Sequence, residues 1–107
     1  MPIFEVDESN FNEIKAEELS KGNSIILTFG SELCDACQAL EYEVEEIVEK
    51  NDDISILSLD INDATVLTEK YGVEQIPTII IYNSKDQMLH RHDGLMLCQD
   101  IEKIIKK

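Results

Sequence analysis

Two cysteines three residues apart, Cys34 and Cys37, sit where an apolar run gives way to an amphipathic one. That junction constrains the chain more than any other stretch. Before it, Ser24-Ile25-Ile26-Leu27-Thr28-Phe29-Gly30 is apolar and rich in β-branched residues, which reads as a buried strand. After it, Ala36, Leu40, Val44, Ile47 and Val48 recur at helical spacing on one face, with Glu41, Glu45, Glu46 and Glu49 elsewhere, and the helix is expected to reach Lys50. A C-x-x-C pair at a strand-to-helix turn is a candidate for thiol redox chemistry. The first thiol stands where unpaired backbone N–H groups and the positive end of the helix dipole favour a thiolate. One turn later, the second thiol is close enough to close a disulfide onto it.

A chain of 107 residues is expected to form one domain over 1–107 with a single core. The net charge is −14, and the nine basic residues cluster only at Lys103, Lys106 and Lys107. Phosphate binding needs clustered Lys and Arg, so neither nucleic acid nor an anionic membrane is an expected partner. No apolar run approaches the roughly 20 residues of a membrane span. The start, Met1-Pro2-Ile3-Phe4-Glu5, lacks the basic opening and long apolar stretch of a secretion signal, so a cytoplasmic location is expected. In that compartment three cysteines argue for thiol chemistry or metal binding rather than a structural disulfide framework.

The remaining elements are expected as follows. Ile3-Phe4-Glu5-Val6 is a short strand. Ser9 or Asn10 caps a helix with Glu13 in capping-box spacing, its inner face being Phe11, Ile14 and Leu19 and its end Gly22. Ile54–Leu59 is a mostly apolar strand, expected at the centre of the sheet. Asp63 caps a short helix with Val66, Leu67 and Tyr71 inward, stopped by Gly72. Thr78–Tyr82 is a strand, Asn83–Asp86 a turn, and residues 87–91 pair back antiparallel. After Asp93-Gly94, Leu97, Ile101, Ile104 and Ile105 define a last amphipathic helix. The order βαβαβαββα implies an α/β class: a mixed sheet of about five strands with about four helices over both faces.

With these features assembled, the chain resembles a thioredoxin over nearly its whole length. The resemblance is carried by the Cys34–Cys37 pair after an apolar strand, by Tyr71-Gly72-Val73 ahead of Ile76-Pro77-Thr78, by the hairpin turn near Asn83–Asp86, and by Gly94 before the final helix. It implies the thioredoxin fold and a thiol–disulfide oxidoreductase that reduces protein disulfides. Cys34 would be the attacking thiolate and Cys37 the resolving thiol. Pro77 would be cis, packed against the cysteines, so that the backbone of Ile76 pairs with a substrate strand. Only proline makes a cis bond cheap, and an exposed backbone edge binds extended peptides by strand addition. Leu33 and Gly94 would complete the substrate surface. Partners implied are disulfide-containing proteins and a flavoprotein thioredoxin reductase as electron donor. No bound cofactor is required, because the dithiol carries the electrons.

Several positions depart from the family's pattern. Leu33 stands where a Trp is usual, Asp35-Ala36 where Gly-Pro is usual, and Gly30 where a second Trp is usual. Thr28 replaces a buried Asp that helps deprotonate the resolving cysteine, and Ser58 replaces a Lys often partnered with it. Resolution then needs another base, either water or a nearby carboxylate such as Asp93. The helix terminus lowers the pKa of the first thiol, whereas Asp35 and Glu32 push it up unless they are screened in solvent. A less stabilised thiolate implies a low reduction potential, hence a reductant.

The remaining chemical residues carry less. Cys98 is expected to be half-buried and inert, with an intermolecular disulfide or a regulatory oxidation site as the other readings. His90 and His92 share a strand face and are expected at a solvated edge rather than on a metal. Met88 and Met96 read as packing or surface residues, and Tyr42, Tyr71 and Tyr82 as core or rim aromatics. Two functions compete with the reductase: a non-catalytic module that docks one partner on the Pro77 edge and Leu33, and a metal site built from Cys34 and Cys37 of two chains.

Overall fold

Each apolar run singled out above becomes a strand, and the amphipathic stretches between them become helices. The computed structural model describes residues 3–106. Its strands are β1 (Ile3–Val6), β2 (Ser24–Gly30), β3 (Ile54–Asp60), β4 (Thr78–Tyr82) and β5 (Met88–Asp93), and its helices are α1 (Phe11–Ser20), α2 (Asp35–Lys50), α3 (Thr65–Lys70) and α4 (Cys98–Ile105). The sheet order is β1-β3-β2-β4-β5. β1, β3 and β2 run parallel, while β4 and β5 are antiparallel additions. The middle strand is therefore β2, the one leading into the cysteines, with β3 one place outward. The strand ahead of the cysteines is thus held by a hydrogen-bonded neighbour on each side.

Side chains alternate across the sheet, as strand geometry requires. Ile26, Ile54, Ile56, Ile79 and Ile81 face Leu40, Val44 and Ile47 of α2 and Ile101 of α4. Ile25, Leu27, Phe29, Leu57 and Ile80 face the opposite way, toward Phe11 of α1 and Leu67 of α3. Each fully buried residue of this size contributes about 1.5–3 kcal/mol relative to exposure. Thr28 shares the parity of Ile26, so its hydroxyl points toward α2 from among these apolar rows.

Several local expectations need correction. The buried face of α2 begins at Cys37, not Ala36, which is exposed. Val66 is exposed and only Leu67 of its pair is buried, because α3 is a short helix presenting a narrow face. Asn10 occupies the N-cap of α1, but its side chain accepts from the Asp7 N–H at 2.8 Å, closing the preceding turn instead of a capping box. Asp63 is not the cap of α3. The N-cap position is Ala64, and the Leu67 N–H donates instead to the Glu8 carboxylate at 3.1 Å. α4 uses the same device: the Cys98 N–H donates to Glu43 of α2 at 2.8 Å. Carboxylates remote in sequence suit these ends because helix N-termini carry unsatisfied N–H groups and positive charge. β5 runs on to Asp93, whose partner in the ladder is Thr78.

One charged residue among the described ones lies in the interior. Glu18, on the face of α1 toward the sheet, accepts from Ser55 Oγ at 2.7 Å and Asn23 Nδ2 at 3.3 Å, and pairs with Lys21 Nζ at 2.8 Å. Burial pushes the Glu18 carboxyl up, but the hydrogen bonds from Lys21, Ser55 and Asn23 and the Lys21 charge outweigh it and hold it below the usual range. Tyr71 is half-buried, edge-on to Phe11 with ring centroids 6.0 Å apart, whereas Tyr42 lies on the surface.

Candidate functional site

The cysteines stand at the open end of the middle strand. β2 delivers the chain to Gly30, a four-residue loop follows, and α2 begins at Asp35 with Cys34 as its N-cap. Cys34 and Cys37 form a disulfide with Cα atoms 5.2 Å apart. Cys34 Sγ accepts a hydrogen bond from the Cys37 N–H at 3.1 Å. A sulfur in the N-cap position thus satisfies one of the orphan donors of the helix, and a thiolate there would gain from both that N–H and the helix dipole. The two sulfurs are unlike. Cys34 is half-buried, while Cys37 is buried beneath it.

That burial depends on Gly30. A Cβ at Gly30 would stand 3.0 Å from both Cβ and Sγ of Cys37. The residue here is glycine because the second cysteine packs directly on the backbone, and any side chain would press on the redox sulfur.

Pro77 is buried beside the pair, in the same cavity wall as Cys37, and the Ile76–Pro77 bond is cis. Ile76 lies two residues ahead of β4, so its backbone lies outside the ladder. The Gly94 N–H donates to the Pro77 carbonyl at 2.7 Å, and Gly94 adopts φ of +103°, a conformation that disfavours other residues. Asp93 accepts from Thr78 Oγ1 at 3.0 Å. The structure therefore brings Ile76, Pro77, Asp93 and Gly94 together through β4 and β5, next to the cysteine turn. Leu33 is 99% exposed immediately before Cys34, and Leu95 is exposed after Gly94.

A cavity of about 550 Å³ lies behind Cys37, lined by Thr28, Glu41, Ser58 and Pro77 among others. Thr28 and Ser58 are direct register partners on β2 and β3, and Glu5 of β1 continues the row. Ser58 Oγ donates to Glu41 Oε1 at 3.2 Å from the opposite wall. Burial, then the negative charges of Glu45 and Glu5, push the Glu41 carboxyl above the usual range against the Ser58 hydrogen bond. Thr28 Oγ1, itself buried, is the one buried side-chain polar atom among the described residues without a hydrogen-bond partner. Asp35 is exposed in the first turn of α2, and Glu32 is exposed at the cavity rim. Asp93 is not part of the cavity wall.

Sequence reasoning missed Gly30 and Glu41 as site residues. The signal for Glu41 was its spacing, four residues after Cys37 and hence one helical turn along the same side. For Gly30 there was only its place at the end of the strand.

The other chemical residues fall outside the site. Cys98 is buried rather than half-exposed, beneath the first turn of α4. Burial and the neighbouring Glu46 and Glu102 push its thiol up to about 11, which suits neither an intermolecular disulfide nor an oxidation sensor. His90 and His92 stack on edge strand β5 with ring centroids 6.3 Å apart. Met96 is buried and Met88 exposed. Among the described residues no group of three or more His, Cys, Asp or Glu is placed to hold a metal ion, and no helix is long and apolar enough to cross a membrane.

The family model described as Thioredoxin matches residues 2–107. A putative thioredoxin-4 of Dictyostelium discoideum is 32% identical over 68 residues, covering 64% of this chain and 65% of that protein. The thioredoxin of Chlamydia muridarum is 28% identical over 102 residues, covering 95% of this chain and 94% of its own. The chain spans between half and two thirds of the length of several curated relatives it matches. Chloroplastic thioredoxin z superposes with a TM-score of 0.82 at 18% identity, over 97% of this chain and 92% of that one, which shows the shared fold. A mixed five-stranded sheet with four helices and a C-x-x-C disulfide at the N-terminus of α2 is what that match would require, and the chain belongs to the thioredoxin family.

Proposed function

We propose that the protein is a thiol–disulfide oxidoreductase that reduces protein disulfides by dithiol exchange. The observation that carries this reading is the asymmetric pair itself: an N-cap sulfur, Cys34, half-exposed between Leu33 and the Pro77 loop, disulfide-bonded to a buried Cys37. In the reduced protein, the Cys34 thiolate attacks a substrate disulfide, forming a mixed disulfide and expelling the first substrate sulfur. Cys37 then attacks Cys34, releases the second substrate sulfur, and restores the Cys34–Cys37 bond. The substrate strand is read by the backbone of Ile76 beside Pro77, with Leu33 and the Gly94 loop as its apolar rim. A thioredoxin reductase is the proposed electron donor, and a compartment that keeps thiols reduced, the cytoplasm, is the proposed setting.

The direction of exchange follows from charge. Asp35 and Glu32 flank Cys34, and acidic residues dominate the cavity behind Cys37. Nearby anions disfavour a thiolate, which destabilises the reduced form and lowers the potential. Titration of the Cys34–Cys37 couple against glutathione is expected to give a midpoint below about −200 mV, on the reducing side of the oxidising family members. In parallel, the protein with dithiothreitol accelerates insulin reduction, and Cys37→Ser traps a mixed disulfide on Cys34. A midpoint well above that value would exclude the reductant role. No reversible couple at all would exclude the oxidoreductase.

A further inference from the structure

We infer that Glu41 is the proton partner of Cys37: its carboxylate accepts the Cys37 thiol proton, through water held on Thr28 Oγ1, as Cys37 resolves the mixed disulfide. This rests on the oxidoreductase reading above and adds the base that it lacks. Three placements carry it. Glu41 lies one helical turn beyond Cys37 on α2, where side chains are neighbours with Cβ atoms about 5–6 Å apart. Both residues and Thr28 wall the same cavity of about 550 Å³, many times the roughly 30 Å³ that one water takes up. Thr28 Oγ1 is buried, unpartnered and part of that wall, and a hydroxyl offers one donor and two acceptor sites to a relay. Ser58 Oγ holds the Glu41 carboxylate from the far side, in register with Thr28.

The surroundings favour proton uptake. Carboxylates line much of the cavity shared with Glu41: Glu5 on β1 and Asp7 just after it, Glu45 on α2, Asp60 at the end of β3, Asp63 beyond it, and Glu32 in the cysteine loop. No Lys, Arg or His lines it. Burial and the charges of Glu45 and Glu5 hold the Glu41 carboxyl above the usual range, closer to the thiol it serves.

The step balances without an added reagent. Cys37 gives its proton to Glu41, and the sulfur electron pair forms the bond to Cys34. The bond from Cys34 to the substrate sulfur breaks, and that sulfur leaves as a thiolate protonated by solvent. Two electrons pass from the dithiol to the substrate disulfide. When a donor reduces the protein again, Glu41 returns a proton to the departing Cys37 thiolate.

The test is stopped-flow reaction of the reduced protein with dithiobis(nitrobenzoate), which releases one coloured thiolate as Cys34 attacks and a second as Cys37 resolves. Glu41→Gln is expected to slow the second phase at least about tenfold and to remove one inflection from its pH profile, leaving the first phase unchanged. Glu41→Asp restores part of the rate, and Thr28→Val slows the same phase. Glu49→Gln, exposed on the far end of α2, changes neither phase. Stability supplies a check on folding. A carboxyl raised in the folded state favours folding at acid pH, and that contribution is lost as pH rises through its folded pKa. Glu41→Gln is therefore more stable than wild type above that pH and equal to it in acid. A second phase unchanged in Glu41→Gln and in Thr28→Val, or slowed by Asp93→Asn instead, overturns the inference while two phases in the wild type leave the oxidoreductase standing. No thiolate release from the wild type sinks both.

Discussion

At Gly30 the missing side chain is the point, since Cys37 occupies the space a Cβ would need. Gly30→Ala puts a methyl group 3.0 Å from the Cys37 sulfur, and the neighbour that must give is a buried residue on the first turn of α2. Overpacking of this kind costs about 1–3 kcal/mol. Chemical denaturation of the oxidised protein is expected to show a loss in that range, with a changed redox midpoint because Cys37 is displaced; an alanine variant matching wild type in both would mean the backbone relaxes freely. The neighbouring Thr28 shows the reverse situation. Its β-branched side chain suits a strand, so sequence alone explains its presence there, and only the cavity beside it makes the unpartnered hydroxyl meaningful.

At the scale of elements, helix ends are closed by carboxylates from other parts of the chain. Glu43 on α2 accepts from the Cys98 N–H at the start of α4, and Glu8 accepts from the Leu67 N–H in α3. Neither α3 nor α4 has a side-chain cap of its own. Glu43→Ala is therefore expected to cost about 1 kcal/mol, the usual loss for an N-cap, and Glu43→Gln less. Urea denaturation would read it, and an alanine variant as stable as wild type would show that solvent caps α4 equally well. Because α2 also carries Cys34 and Cys37, this contact makes the α2–α4 packing part of what fixes the redox helix. The same reasoning explains why capping was misread from sequence. Asn10 holds the N-cap position of α1 but turns its side chain to the preceding turn, and Asp63 is passed over because a cap is any acceptor in reach and the chain brings Glu8 to α3.

Across the whole molecule, a net charge of −14 on a chain of 107 residues makes self-repulsion a global feature. The ion pairs found are few and mostly between near neighbours on one helix, such as Lys50–Glu46 and Lys21–Glu17, and exposed pairs of that kind contribute little. Screening is then expected to stabilise the fold. The melting temperature should rise as salt increases toward about 0.15 M, where the Debye length falls to about 8 Å. A flat or falling response in calorimetry would mean that local pairs, not the net field, govern the charge balance.

The primary sequence was enough for the element order, for both sheet faces and for the Cys34–Cys37 and Ile76–Pro77 stretches. Period-two and period-3.6 patterns are local properties of a chain, and the spacing of Cys34, Cys37 and Pro77 is a strong signature. It did not show which strand stands in the middle, which carboxylates close α3 and α4, or that Glu41 accepts from Ser58 in the cavity that Thr28 also lines. Those are distances between residues far apart along the chain. Pairing order and α2 packing bring Glu41 of the helix, Thr28 of β2 and Ser58 of β3 to one cavity, and only there does a surface-looking glutamate become half-buried, with its carboxyl pushed above the usual range.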